Sequence, residues 1–183
     1  MSCKTWFATL MSVFGLSACA TQTALPLADQ VDIDRFMGRW YVIAHIPTWV
    51  EKDSYNAIET YTLNPDGTIA TTFTFNEGGM HGPMKVYHPT GFVVEGTDNA
   101  LWGMQFVWPI KAQYKISYVA EDYSSTIVTR DKLDYVWIMA RTPSLDDEDY
   151  QRLRSLVESY GYDLSKLRRV PHLVRQQDKS PGS

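Results

Sequence analysis

Gly38-Arg39-Trp40-Tyr41-Val42-Ile43-Ala44-His45-Ile46-Pro47 reads as a β-strand with clear ends. Trp, Tyr, Val and Ile suit a pleated, half-buried surface, while Gly38 opens the run and Pro47 stops it. Similar short runs continue as far as Arg141. Tyr55 to Leu63 ends at Asn64-Pro65-Asp66-Gly67, a hairpin signal, and Thr68 to Phe75 alternates with a period of two. Met84 to Tyr87 and Gly91 to Glu95 read either as one strand interrupted at His88-Pro89 or as two short ones. Leu101 to Trp108, Gln113 to Ala120, Ser124 to Thr129 and Tyr135 to Arg141 complete the set. About eight strands with short turns and no intervening helix predict an all-β chain. Neighbour-to-neighbour hairpins favour an eight-stranded up-and-down antiparallel β-barrel over a sandwich.

Two helices flank this region. Asp32 is a natural N-cap for one turn carrying Ile33, Phe36 and Met37, which would plug one barrel end. After the last strand, Ser144 is the predicted N-cap of a C-terminal α-helix. Acids fill its first turn, Tyr150, Leu153, Leu156, Val157 and Tyr160 share one face, and Gly161 stands at the stop. One apolar stripe predicts a helix packed on the barrel wall.

The N-terminus reads as an address. Lys4 precedes a modest apolar stretch, Trp6 to Gly15, too short to span a bilayer but suited to a signal peptide. Leu16-Ser17-Ala18-Cys19 resembles the bacterial lipobox, which implies cleavage before Cys19, a thioether-linked lipid on it and an acyl chain such as palmitate on the new amino terminus. The alternative is an ordinary secretory leader cut near Ala18 or Ala20. The expected organisation is a signal peptide over 1–18, a tether over 19–30, a barrel domain over 31–175 and a disordered tail over 176–183. Ala20 after the cysteine implies, again by resemblance, sorting to the outer membrane of a bacterial cell.

The 183 residues suit one domain, and the net charge of −4 offers no basic stripe for nucleic acid. Arg168-Arg169 reads as a solvated pair. Cys3 and Cys19 both lie in the first twenty residues, so no disulfide framework serves the folded body.

Three separated blocks resemble the lipocalin family, in particular its bacterial outer-membrane branch related to apolipoprotein D. Gly38-Arg39-Trp40-Tyr41 is similar to the Gly-x-Trp opening. Leu133-Asp134-Tyr135 is similar to a block that usually reads Thr-Asp-Tyr, with Leu133 as a departure. Arg141, in Ile138-Met139-Ala140-Arg141-Thr142-Pro143, is similar to the arginine that lies over the tryptophan. The resemblance implies that Gly38, Trp40, Asp134, Tyr135 and Arg141 close the barrel rather than touch ligand. It also implies a fatty acid or lysophospholipid as ligand, and a homodimer is compatible with it.

If Trp40 points inward, period-two alternation sends Val42, Ala44 and Ile46 inward as well. The apolar sets on the other strands are Phe73 and Phe75; Trp102, Met104, Phe106 and Trp108; and Tyr114, Ile116 and Tyr118. Val42, Ala44 and those strand residues are the candidate ligand wall, with core filling as the alternative for each and a bulge able to reverse any strand. Lys85, Lys111 and Lys115 are candidates for a head group. Trp49-Val50 and Trp108-Pro109-Ile110 are candidates for an apolar rim against a bilayer.

No motif of a hydrolase, zinc peptidase or phosphate-binding loop occurs, and the four histidines lack metal-ligand spacing. The chain therefore reads as a non-enzyme without cofactor or metal. Its expected role is an anchored lipid binder for envelope lipid storage, transport or maintenance. The alternative is an envelope interaction module whose barrel is filled.

Overall fold

The computed structural model describes residues 24–48 and 51–173. The leader, Cys19, Trp49, Val50 and the tail over 176–183 lie outside the described residues. One short helix, α1 (Ile33–Phe36), precedes β1 (Gly38–Ile46), β2 (Ser54–Leu63), β3 (Thr68–Glu77), β4 (Met84–Tyr87), β5 (Thr90–Val93), β6 (Leu101–Val107), β7 (Ile110–Val119), β8 (Ser125–Thr129) and β9 (Val136–Ala140). Then come α2 (Asp147–Ser159), a 3₁₀ turn (Leu164–Lys166) and β10 (Arg168–Arg169).

The strands run β1-β2-β3-β5-β6-β7-β8-β9, all antiparallel, and β9 returns to pair with β1, so the sheet closes. The short β4 and β5 both pair β3, interrupted at His88-Pro89, and together fill the fourth barrel position. The β2–β3 turn needs its glycine: Gly67 has φ +82° and donates its N–H to the Asn64 carbonyl at 3.0 Å.

One end is sealed by aromatic packing. The Asp32 carboxylate caps α1, and Phe36 lies 5.0 Å from the Trp40 ring and 5.4 Å from the Trp102 ring. Trp40 is fully buried and donates Nε1–H to the Phe36 carbonyl at 2.8 Å. The Arg141 guanidinium covers the indole at 3.8 Å. It also donates to the Arg39 and Arg35 carbonyls at 2.8 and 2.6 Å, tying β9 to the plug helix.

Two bulges change which residues face inward. Along β1–β9 the register passes from Val42↔Met139 to Ala44↔Ile138, leaving Ile43 as the extra residue. Beyond it Ala44 and Ile46 belong to the outer wall beneath α2, while His45, opposite the inward Trp137, is fully buried. Along β7–β8 the register passes from Ile116↔Val128 to Tyr118↔Ile127, and Tyr118 likewise turns outward, accepting from Arg152 Nη1 at 2.8 Å. The inward assignments of Ala44, Ile46 and Tyr118 are thus corrected, each by one inserted residue.

The α2 face formed by Tyr150, Leu153 and Val157 packs on Ile127, Ile138 and neighbouring wall residues. Its N-cap is Asp146 rather than Ser144: the Asp146 carboxylate accepts from Asp149 N–H at 2.8 Å, whereas the Ser144 carbonyl accepts from the Thr142 hydroxyl. Arg168-Arg169 is not a free solvated pair. Together the two residues form β10, with Arg168 beside His45 and Arg169 over the Tyr150 ring at 3.6 Å.

A strap precedes α1. Val31 is bonded at the sealed end, its N–H to the Asp98 carbonyl at 2.9 Å. Leu25 lies at the other end, its N–H donated to Asp131, just past the end of β8. Between them Lys115 Nζ donates to the Leu25 carbonyl and to Asp131 at 2.6 and 2.7 Å, which places that lysine under the strap.

Candidate functional site

The end opposite Trp40 is open. There the end of β1, the β6–β7 hairpin, the start of β9 and inward residues of β3, β6 and β7 enclose a cavity of about 430 Å³. A space of this size is in the range of small-ligand sites, roughly 300–1,000 Å³. Phe73, Met104, Phe106, Val107, Ile110, Ala112, Tyr114, Tyr135 and Trp137 make most of the wall.

Of the eleven candidate wall residues, Phe73, Met104, Phe106 and Tyr114 line this space. Val42, Phe75, Trp102 and Ile116 face the interior but belong to the packed core around it, with Trp102 stacked on Tyr114 at 5.1 Å. Ala44 and Tyr118 are outside, as described. Trp108 is outside too: it sits at the hairpin tip, 82% exposed.

Asp134 and Tyr135 are placed differently from what the resemblance implies. Strand β9 runs from the open end to the sealed one, so its beginning lies at the mouth and only Arg141 reaches the floor. Asp134 and Tyr135 line the cavity, Tyr135 donating its hydroxyl to the Gln113 carbonyl and Asp134 pairing with Arg130 at 2.9 Å.

None of the three candidate lysines lines the cavity. Lys115 lies under the strap, Lys85 pairs with Glu77, and Lys111 covers the Phe92 ring at 3.4 Å. Arg130 is the cationic residue of the mouth among the described residues.

The interior also holds polar groups that alternation does not reveal. Glu51, fully buried, accepts Trp137 Nε1–H at 3.0 Å and Thr48 N–H at 3.2 Å on Oε1. Its Oε2 stands 3.6 Å from His45 Nδ1. Glu59 lies between the inward residues Ala57 and Tyr61 on β2, opposite Trp40 on one side and Phe73 on the other. Burial, with Glu51 nearby, raises its carboxyl to a pKa of about 8. Burial, with Glu59 nearby, pushes the Tyr114 phenol up as well, and its hydroxyl pairs with that of Tyr61 at 2.6 Å.

The mouth carries an apolar rim. Met84 and Val86 of β4 and Phe106, Val107, Trp108 and Ile110 of the β6–β7 hairpin are exposed. Tyr87 and Phe106 connect the two groups through an edge contact of 6.5 Å.

A family model described as "Lipocalin-like domain" matches residues 31–172. The chain is 31% identical over 162 residues to temperature-induced lipocalin-1 of Arabidopsis thaliana, covering 84% of this chain and 83% of the relative. It is 25% identical over 161 residues to the outer membrane lipoprotein Blc of Escherichia coli K12, covering 85% and 89%. Among solved structures, insecticyanin from the tobacco hornworm Manduca sexta superimposes with a TM-score of 0.63 at 15% identity, covering 84% and 86%.

Proposed function

The chain belongs to the lipocalin family, and from that membership we propose that it binds a single-chain lipid, a fatty acid or lysophospholipid, inside its barrel at a membrane surface. The observation that carries the reading is the open cavity of about 430 Å³ walled by Phe73, Met104, Tyr114 and Trp137. An acyl chain gains about 0.8 kcal/mol per buried methylene, and Met104 adapts to its irregular shape. The role is storage or carriage of lipid, not catalysis.

The membrane part of the proposal rests on where the strap leaves the barrel. Leu25 is fastened at the mouth end, and the six residues back to Cys19 span at most about 20 Å. A lipid on Cys19 would therefore hold the mouth and its apolar rim toward the bilayer. The leader pattern and the printed description of the E. coli relative support a bacterial outer membrane as that surface.

Native mass spectrometry with lipid extraction, on the chain from Ala20 onward purified without detergent, tests the ligand. A stoichiometric fatty acid or lysophospholipid is the expected result. A ligand-free mass together with failed titration by a fluorescent fatty acid would favour the filled-barrel module instead.

The rim is tested separately. Trp108→Ser with Met84→Ser, two rim residues that do not line the cavity, is expected to reduce vesicle co-sedimentation at least about tenfold, since each side chain forfeits roughly 2 kcal/mol of burial. Binding of a soluble fluorescent fatty acid should stay within about threefold. Unchanged vesicle binding would refute the rim's role.

A further inference from the structure

Two buried carboxyl oxygens have no hydrogen-bond partner among the described residues: Oε2 of Glu51, in the cavity wall, and Oε2 of Glu59, which lies behind that wall, opposite Phe73 and Trp40. Both side chains are at least nine-tenths buried, and Glu51 lines the cavity itself. His45 does not fully answer them. Arg168 Nε donates toward its Nε2 at 3.4 Å, which leaves the ring proton on Nδ1, and that N–H faces Glu51 Oε2 at 3.6 Å, beyond hydrogen-bond distance. A buried carboxyl oxygen without a partner is costly, so the two acids mark a place where a donor of positive charge would be favoured, Glu59 releasing its proton to receive it.

The surroundings point the same way. Arg130, the cationic residue lining the cavity among the described residues, is at the mouth and already paired with Asp134 at 2.9 Å. Tyr114, Tyr135 and Trp137 present aromatic rings to the same space, and ring faces attract cations. An anionic head group carried inward would meet two acids and the negative faces of these rings. A cationic head group would meet the Glu51 and Glu59 oxygens, while the nearby donors His45 and Arg168 do not line the cavity.

We infer that the inner end of the cavity is a cation subsite, in which Glu51 and Glu59 take the protonated amine of a single-chain amphiphile. The inference rests on the lipid-binding reading and specifies its head-group chemistry. An ammonium supplies three N–H donors, enough for both free oxygens, and charge-assisted bonds of this kind are about twice as strong as neutral ones. A carboxylate-headed lipid, by contrast, would keep its head at the mouth near Arg130. The groups that bear on the subsite are His45 from β1, Glu51 from the β1–β2 loop, Glu59 from β2, Tyr114 from β7, Tyr135 from the start of β9 and Arg168 from β10.

Calorimetric titration of the whole chain, delipidated, with dodecylamine, dodecanoic acid and dodecanol at pH 7 tests this. Dodecylamine is expected to bind at least about tenfold more tightly than dodecanoic acid, a difference of about 1.4 kcal/mol. Glu51→Gln and Glu59→Gln should each weaken the amine about tenfold while leaving dodecanol within about threefold. Repeating the titration in buffers of different ionisation heat should show proton release on amine binding that Glu59→Gln abolishes. Equal or tighter binding of dodecanoic acid, or equal losses for amine and alcohol in the variants, would overturn the subsite while leaving the lipid-binding reading standing. Failure of all three probes to bind would overturn both.

Discussion

Trp40→Ala is expected to lower the stability of the barrel by about 3–5 kcal/mol, the usual cost of deleting a large buried aromatic side chain. Three contributions are lost together. The indole fills the sealed end against Phe36, its Nε1–H holds the Phe36 carbonyl, and its face carries the Arg141 guanidinium at 3.8 Å. The last contact contributes on the order of 1–2 kcal/mol when partly desolvated. Arg141 keeps its bonds to Arg39 and Arg35, so α1 stays tethered but loses the surface on which it rests. Ligand affinity should change by less than about threefold, because Trp40 is not among the residues that line the open cavity. Urea denaturation beside titration with a fluorescent fatty acid separates the two effects. Wild-type stability with abolished binding would show that Trp40 belongs to the site.

The sequence carried this sealed end well because it rests on large, distinctive side chains at fixed intervals. Gly38, Trp40 and Arg141 are legible as residues, and closing an eight-stranded sheet leaves little choice about where β1 and β9 meet. The wall of the cavity was legible only where strands are regular, as on β6 through Met104. It was misread past the residues inserted in β1 and β7. Ile43 and Ser117 give no chemical sign of being bulged, yet each reverses the residues that follow, sending Ala44 and Tyr118 out and His45 in. Glu59 was missed for another reason. A lone glutamate among Thr, Tyr and Asn on β2 reads as solvent-facing, and only its neighbours Ala57 and Tyr61, both buried, show that its face is the inner one. Asp134 and Tyr135 illustrate the limit of resemblance. It fixed on Asp134-Tyr135, which line the mouth, whereas the Asp-Tyr pair at the sealed end is Asp122-Tyr123, where the Tyr123 hydroxyl accepts Asp32 N–H at 2.7 Å and its ring carries the Arg35 guanidinium at 4.2 Å.

Glu59→Gln is expected to stabilise the protein by about 3–5 kcal/mol at pH 8 and by much less at pH 5. In the folded protein the carboxyl holds its proton up to a pKa of about 8, against 4.5 for the exposed group. Between those values the native state retains a proton that the unfolded chain has released, so stability must fall as pH rises through this interval and level off above it. The full difference corresponds to roughly 5 kcal/mol, since each unit of pKa is worth about 1.4 kcal/mol. The substituted side chain offers a neutral amide of nearly the same size, which removes the linkage without opening a cavity. Urea denaturation of both proteins at pH 5, 6.5 and 8 should show a stability difference that grows with pH, whereas parallel curves would mean that Glu59 ionises normally. Because an acid that costs so much to bury has no hydrogen-bond partner for its Oε2 among the described residues, the same variant links stability to function. The destabilisation that the amide relieves is the one that a bound ammonium would also relieve, so dodecylamine should stabilise the wild-type protein more at pH 8 than at pH 5, and this pH dependence should disappear in Glu59→Gln.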